Sequence, residues 1–250
     1  VEPRATEFYA SIPLDAELWQ ALRNYASSRE AAALEGVRRR YLTKTLEGFR
    51  RHGAALDPMG KARLAAVEVE LSRLTTKFAE HVLDATNAFE LIVTDEKRLA
   101  GLPPSAVQAA RQSAEEKGKP GWRFTLQAPS YTAVMTYLDD AGIREEVWRA
   151  YVTRAASGAL DNRDLIRRIL ELRHEKATLV GYSDFAAFVL DDRMAKTAAR
   201  ARGFLEDLQS RTAPHFKREN RDLEAFRGGA LRPWDVAYWA EKQRRALYDF

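Results

Sequence analysis

The chain has 250 residues, of which 46% are hydrophobic and 30% are charged, and it contains no cysteine. The apolar fraction supports a sizeable core and excludes a disordered tail, and the lack of cysteine excludes disulfides, thiolate zinc sites and a cysteine nucleophile. The 40 basic and 36 acidic residues give a net charge of +4. Because the two signs alternate along the chain, we expect no nucleic-acid partner.

The sequence shows no sign of a membrane or export segment. No apolar run approaches the roughly 20 residues that a membrane-spanning helix needs, so we expect no membrane association. The start, Val1-Glu2-Pro3-Arg4, is charged and unlike a signal peptide. With the absence of cysteine, this favours a reducing compartment, and the cytoplasm is the predicted location. A chain that lacks an initial Met and ends within a helical pattern at Phe250 is expected to be part of a longer protein.

Helical spacing of apolar residues dominates the first 90 residues. A run of leucines four residues apart predicts the first helix: Leu14, Leu18 and Leu22. A second helix is predicted over residues 29–51, and Gly53 ends it. Asp57 as N-cap and Pro58 as first helical residue predict the start of the longest helix, whose apolar period continues to about Phe89.

The pattern then changes from helix to strand. Residues 90–93 form a short apolar run, and apolar and polar side chains alternate over residues 122–128. Alternation of this kind is typical of a half-buried strand. We therefore predict a small two-stranded β element from 90–93 and 122–128, with a helix over residues 103–117 between the strands.

The rest of the chain is predicted to be helical. The predicted helices begin, in chain order, at Ser130, Ile143, Asp161, Ser183, Thr197 and Pro233. Gly142 is expected to break the first of them, and Pro214 is expected to bend the long helix from Thr197. The predicted fold class is therefore mainly α, with residues 1–250 forming a single helical region that carries the small β element.

Four histidines are the candidate metal ligands: His52, His81, His174 and His215. His174-Glu175 begins like the His-Glu-x-x-His zinc signature, but the position of the second histidine holds Thr178. Glu171 and His174 form one Glu-x-x-His pair of the kind that builds di-iron sites, but the sequence has no second copy. We therefore favour structural roles for His174 and His81 over metal binding, and we predict no catalytic or metal residue.

Other catalytic motifs are missing as well. Gly228-Gly229 has neither a preceding strand nor a following Lys-Ser/Thr, so it is no phosphate loop. Glu145 and Arg149, at helical spacing, are expected on a solvated face. Five aromatic residues are expected in the core rather than in a ligand site: Trp148, Tyr151, Trp234, Tyr238 and Trp239. The residues by themselves therefore indicate a helical domain without visible catalytic machinery.

Five stretches carry a family resemblance. They are LTTKFAEHVLDATN at 74–87, PSYTAVMTY at 129–137, REEVWRAYVTRA at 144–155, ILELRHEKATLVGY at 169–182 and PWDVAYWAEKQ at 233–243. They resemble segments of the thimet oligopeptidase and oligopeptidase A family of zinc metallopeptidases, and they occur in the family's order. The bacterial oligopeptidase A branch is the most similar. No single stretch is a catalytic signature, so the match rests on their number and order.

The resemblance implies a large, two-lobed, helical zincin-type enzyme with a deep channel between its lobes. In that family a His-Glu-x-x-His helix and a later glutamate hold zinc, and the motif glutamate is the general base. These groups lie beyond the equivalent of Phe250, so the resemblance transfers no catalytic or metal residue to this chain.

The resemblance further implies that this chain walls part of the channel and is inactive by itself. Zinc would be bound in the full-length parent and not by this fragment, short peptides would be the substrates, and a C-terminal catalytic lobe would be the missing partner. The resemblance does not identify the substrate-binding residues, which remain unknown. The alternative interpretation is a non-catalytic helical module that binds peptides or partner proteins.

Overall fold

The computed structural model describes residues 8–9 and 11–248, and these residues are mainly α-helical, as predicted. The helices are α1 (Ala16–Ala26), α2 (Arg29–Ala32), α3 (Gly36–Arg51), α4 (Pro58–Ala88), α5 (Pro104–Glu115), α6 (Ala128–Tyr137), α7 (Ala141–Val152), α8 (Arg163–Leu179), α9 (Phe185–Leu190), α10 (Ala198–Arg227) and α11 (Val236–Leu247). Two strands, β1 (Leu91–Val93) and β2 (Trp122–Phe124), form an antiparallel sheet with Ile92 opposite Arg123. None of the described helices is both long and apolar enough to cross a membrane.

The chain divides into two compact units. The first comprises Val1–Lys77 and Asp164–Leu205, and the second comprises Phe78–Arg163 and Glu206–Phe250. The helices α4, α8 and α10 each contribute residues to both units.

In the first unit, ion pairs join α4 to α8, and the two helices run antiparallel. The buried side chains of α4 recur at helical spacing: Leu64, Val67, Leu71 and Leu74. Ile169 and Leu172 are their buried counterparts on α8. Ion pairs flank this apolar seam, and they join Arg63 to Glu175, Glu68 to Lys176, and Glu70 to Arg168. Since burial of apolar surface provides most of the stability and exposed ion pairs little, these buried residues stabilise the first unit more than the ion pairs do.

The second unit has its core beneath the small sheet. The core consists of Val93, Leu99, Ala110, Phe124, Leu126, Val134, Leu138, Ile143 and Val147, all buried. These residues come from β1, β2, α5, α6 and α7 and the segments between them. The alternation in residues 122–126 thus buries Phe124 and Leu126, as a half-buried strand pattern requires.

The predicted β element is confirmed, but its second strand is shorter than predicted. β2 ends at Phe124, and α6 begins at Ala128 rather than at the predicted Ser130. Pro129 stands in the first turn of α6, where its missing N–H costs no helical hydrogen bond. The Ser130 hydroxyl accepts a hydrogen bond from the Thr125 backbone N–H at 3.0 Å instead of starting the helix.

The predicted helix over residues 29–51 is interrupted. It forms as α2 and α3, because Gly36 takes a left-handed φ of +52° that an uninterrupted helix does not allow.

The prediction that Gly142 breaks the helix from Ser130 was wrong. The break falls at residues 138–140, the Asp140 carboxylate caps α7 through the Ile143 N–H at 3.0 Å, and Gly142 lies inside the first turn.

Two further helix starts differ from the prediction. The cap of α9 is Asp184, whose carboxylate accepts from the Ala187 N–H at 2.8 Å, and not the preceding Ser183. The last helix, predicted from Pro233, starts as a 3-10 turn over Pro233–Asp235 and becomes α-helical at Val236. The long helix α10 continues through Pro214.

Candidate functional site

A groove of about 710 Å³ lies in the second unit between α5, β2 and α6. Its helical walls are made largely of small side chains, among them Ala106 and Ala109 of α5 and Ala128 and Ala133 of α6. Because these side chains are short, the two helices leave a space between them that larger residues would fill. The volume falls in the range of small-ligand pockets.

Polar groups at the floor of the groove are already paired within the chain. Arg123 of β2 donates from Nε to Glu90 at 2.9 Å and from Nη1 to the Ser113 hydroxyl at 2.9 Å. Lys119 forms a second ion pair with Glu90. Arg123 is therefore held by Glu90 and Ser113, and the groove offers a largely apolar surface suited to an uncharged ligand.

A buried ion pair lies elsewhere in the same unit. Arg144 and Asp235 are each 2% exposed, and Arg144 Nη2 donates to Asp235 Oδ1 at 2.7 Å. The guanidinium also donates to the backbone carbonyls of Leu138 at 2.6 Å, Asp139 at 3.0 Å and Trp234 at 3.2 Å. A buried charge is tolerated only when it is paired and hydrogen-bonded, as Arg144 is.

Further contacts extend this Arg144–Asp235 cluster. Arg227 pairs with the second oxygen of Asp235 at 3.1 Å. The Arg144 guanidinium carbon lies 4.0 Å from the ring centroid of Tyr238, and the Tyr238 hydroxyl donates to Asp139 Oδ1 at 2.7 Å. The cluster therefore fixes the loop between α6 and α7 to the turn that precedes α11.

The five aromatic residues predicted for the core are packed inward to different degrees. Tyr238 is buried, and the other four are half-buried: Trp148, Tyr151, Trp234 and Trp239. The rings of Trp148 and Trp234 lie 5.6 Å apart. Glu145 and Arg149 form an exposed ion pair at 2.7 Å, which confirms the predicted solvated face.

The carboxylate of Glu241, on α11, is held by two neighbouring arginines. Arg244 donates to it twice at 2.8 Å and Arg245 donates at 2.7 Å. These charged hydrogen bonds lower the pKa of Glu241 from 4.5 to about 2. A pKa that folding depresses stabilises the protein above the unfolded value, and this contribution is lost as the pH falls from about 4.5 towards 2.

Replacing Glu241 by glutamine should therefore make the protein less sensitive to acid. We expect the fall in Tm between pH 7 and pH 3 to be smaller in the Glu241→Gln variant than in the wild type by about 1–3 °C, a small effect because the arginines are half-exposed. Thermal unfolding followed by circular dichroism measures it. Glu219→Gln, at an exposed glutamate without a described ion pair, is the control and should leave the fall unchanged. Equal falls in wild type and Glu241→Gln would contradict the assignment.

His81 contacts a buried asparagine of the same unit. Its Nδ1 lies 2.9 Å from Asn162 Oδ1, and Asn162 Nδ2 donates to the Phe78 carbonyl at 3.0 Å. Asn162 is 3% exposed, and its backbone N–H donates to the Ala155 carbonyl at 2.9 Å. Asn162 therefore joins the C-terminal part of α4 to the segment that leads into α8.

Replacing Asn162 by alanine should lower the free energy of unfolding by about 1–3 kcal/mol, because it removes the hydrogen bonds of a buried amide to the Phe78 carbonyl and to His81. Urea unfolding followed by tryptophan fluorescence measures the change. Asn220→Ala is a matched control, since Asn220 also donates to a backbone carbonyl, that of Phe216, but at an exposed site. It should change the stability by no more than about 0.5 kcal/mol. A similar effect of the two substitutions would show that Asn162 does not hold the segment.

The remaining candidate metal ligands are not brought together. His174 is exposed, while Glu171 pairs with Arg168 at 3.2 Å and Glu175 with Arg63. The ring of His52 contacts the Gly48 carbonyl and that of His215 contacts Arg218. Among the described residues no three His, Cys, Asp or Glu side chains are grouped so as to hold a metal ion. We therefore assign no zinc ligand to the described residues.

The buried Arg144–Asp235 pair was not predicted from the sequence. A signal for it was present, because Arg144 falls on the same helical stripe as the buried Ile143 and Val147. The groove was not predicted either, because it depends on how far apart α5 and α6 stand. Spacing along the chain carries no information about that distance.

Known proteins similar to this chain decide the family. The model of peptidase family M3 matches residues 134–250. Oligopeptidase A of Haemophilus influenzae is 36% identical over 256 residues, and so is oligopeptidase A of Escherichia coli; each match covers 98% of this chain and 38% of the relative. The chain belongs to peptidase family M3.

Other M3 relatives match nearly the whole chain too. An organellar oligopeptidase A of Arabidopsis thaliana is 36% identical over 263 residues, covering all of this chain and 33% of the relative. This M3 chain thus spans 33–38% of the length of these curated relatives. The segment matched by the M3 model begins within α6 and contains both members of the Arg144–Asp235 pair.

Proposed function

We propose that this chain is the channel-forming, non-catalytic helical portion of a zinc-dependent metallo-oligopeptidase that hydrolyses short peptides, and that it is inactive by itself. The observation that carries the proposal is the 36% identity to oligopeptidase A along 98% of the chain, which covers only 38% of those relatives. The 250 residues contain no His-Glu-x-x-His motif. In the proposed enzyme, a C-terminal lobe outside these residues therefore holds the zinc, which would activate water for peptide hydrolysis.

The chain's own contribution to this function is a rigid wall. The Arg144–Asp235 cluster fixes the loop between α6 and α7 to the turn that precedes α11, and a fixed wall restricts the space open to a substrate. The groove between α5, β2 and α6 supplies an apolar surface against which an uncharged peptide segment could lie. We propose the cytoplasm as the location, which fits a chain without cysteine.

A chimera tests the proposal directly. The matching segment of Escherichia coli oligopeptidase A is replaced by this chain, and cleavage of a short quenched-fluorescent peptide is measured. We expect chelator-sensitive cleavage, because the chain would supply the wall while the relative supplies the rest. A chimera in which the predicted His-Glu-x-x-His glutamate of the relative is changed to glutamine is the control and should be inactive. A chimera that folds and binds zinc but does not cleave peptide would contradict the proposal.

The second candidate function is a peptide-binding module without hydrolysis. The groove favours it, because all of its lining residues belong to the second unit of this chain. Saturable binding of a short uncharged peptide to the chain by itself would support this candidate. Ala109→Trp, at an exposed position of the groove wall, should then abolish binding without unfolding the protein. Binding that survives Ala109→Trp would contradict it.

A further inference from the structure

Positive charge is concentrated on one helix of the first unit. The helix α3 carries six basic residues and one acidic residue: Arg38, Arg39, Arg40, Lys44, Arg50, Arg51 and Glu47. Its formal charge of +5 exceeds the +4 of the entire chain. The even spread of charge that the whole sequence suggests therefore does not hold for α3.

Only the C-terminal half of α3 has carboxylate partners. Lys44 pairs with Glu47 at 2.8 Å and with Asp192 at 3.0 Å, and Arg51 pairs with Asp191 at 3.0 Å. In the N-terminal half, Arg39 donates within the described part of the chain to a backbone carbonyl alone, that of Ala31 at 3.1 Å, which does not neutralise its charge.

The other two arginines of the N-terminal half are also uncompensated. Arg38 and Arg40 are exposed and form no ion pair with any carboxylate in the described part of the chain. Three consecutive guanidinium groups are thus left without a counter-charge among residues 8–9 and 11–248. Each can bind a carboxylate through two parallel hydrogen bonds.

Large apolar side chains stand beside these arginines. Val37 is 83% exposed and Tyr41 is 73% exposed. Val37, Arg40, Tyr41 and Lys44 are spaced so that they share one face of the helix. We call this set the α3 basic face. Exposed Tyr next to Arg is the composition found at the energetic centres of protein interfaces.

We propose that the α3 basic face, with the flanking Arg38, binds an acidic segment of a partner protein. Its carboxylates would pair with Arg38 and Arg40, and an apolar side chain would pack on Val37 and Tyr41. Two apolar side chains are too few to insert a helix into a bilayer. Because Glu47, Asp191 and Asp192 pair with Lys44 and Arg51, the uncompensated positive charge is concentrated in the N-terminal half of α3. So short a stretch of charge suits a peptide with a few acidic groups better than a continuous polyanion such as a nucleic acid.

The test uses the 250-residue chain and a short fluorescent peptide rich in Glu and Leu, with binding followed by anisotropy at low salt. We expect saturable binding, and no binding of a matched peptide with Gln for Glu. Arg38→Glu with Arg40→Glu should weaken binding about tenfold or more. The control is Arg200→Glu with Arg202→Glu, an equal charge change at exposed positions of α10 in the same unit. It should change the affinity by less than about twofold.

The apolar part of the proposal has its own test. Tyr41→Ser should weaken peptide binding by a larger factor at high salt than at low salt, because charge attraction is screened at high salt. Three results would overturn the proposal: no binding of the Glu peptide, an equal loss in both arginine pairs, or binding of anionic vesicles or RNA through Arg38 and Arg40 while the peptide does not bind. All the changed side chains are exposed, so each variant should remain folded. Circular dichroism melting curves of the variants check this.

Discussion

Replacing Arg144 by methionine is expected to lower the free energy of unfolding by about 3–5 kcal/mol. Methionine matches the length of the aliphatic stem but makes none of the four hydrogen bonds of the guanidinium. Asp235 would remain buried with only Arg227, which is 28% exposed, as its partner. The carbonyls of Leu138 and Asp139 would lose their donor. Each group buried without a partner adds its desolvation cost to the loss.

Urea unfolding followed by tryptophan fluorescence measures this effect. Four of the five tryptophans belong to the second unit: Trp122, Trp148, Trp234 and Trp239. Arg111→Met, at an arginine with 68% side-chain exposure, should cost at most about 0.5 kcal/mol. The double variant Arg144→Met with Asp235→Leu should be less destabilised than the two single changes added together, because no unpaired buried charge remains. Additive effects would contradict the pairing.

Replacing Gly101 by alanine should destabilise the second unit by about 3 kcal/mol. Gly101 has a left-handed φ of +89°, a conformation that costs other residues about 1–2 kcal/mol. A Cβ atom there would lie 2.3 Å from the Tyr137 carbonyl oxygen and 2.5 Å from Asp139 Oδ1. The backbone carbonyl at the end of α6 would have to move to relieve that contact. Such a shift also disturbs the hydrogen bond from the Asp139 N–H to the Ala100 carbonyl.

Gly118 provides a matched control for Gly101. Its φ of +62° is also left-handed, but no atom lies within 4 Å of the position of a Cβ. Gly118→Ala should therefore show only the conformational cost of about 1–2 kcal/mol. The difference between the two losses in the free energy of unfolding, measured with urea, gives the cost of the contact between the added Cβ atom and the end of α6. Equal losses would show that the packing at Gly101 is not tight.

Local signals in the sequence predicted most of the helices because those signals act over one helical turn. The Asp57 carboxylate accepts from the Gly60 N–H at 2.7 Å, as its N-cap assignment requires. The errors arose where two local signals competed. Asp140 and Gly142 are both boundary residues, and only the structure shows that Asp140 starts α7 while Gly142 is absorbed into it.

The division into two units could not be predicted from the sequence. One boundary falls between Lys77 and Phe78 and another between Leu205 and Glu206. These positions lie inside the continuous helices α4 and α10, so no linker rich in Pro or Gly marks them. Which long-range contacts a helix makes along its length is not encoded in its capping residues.

The candidate site was least predictable. The Arg144–Asp235 pair joins residues 91 positions apart. An arginine on an apolar stripe can be recognised in the sequence, but its carboxylate partner cannot. The α3 basic face, by contrast, lies within one helix. Its ability to bind an acidic partner depends on which arginines lack ion pairs, and the sequence does not show that. The absence of a metal site at the four histidines stays a prediction from their spacing.

Zinc content and peptidase activity of the purified 250-residue chain test the central claim most directly. Metal analysis after equilibration with zinc is combined with cleavage of a quenched-fluorescent short peptide. The proposed role as a non-catalytic portion of an M3 peptidase predicts no stoichiometric zinc and no cleavage. Stoichiometric zinc with chelator-sensitive cleavage would contradict it, and would require His174 with Glu171 or Glu175 to act as ligands.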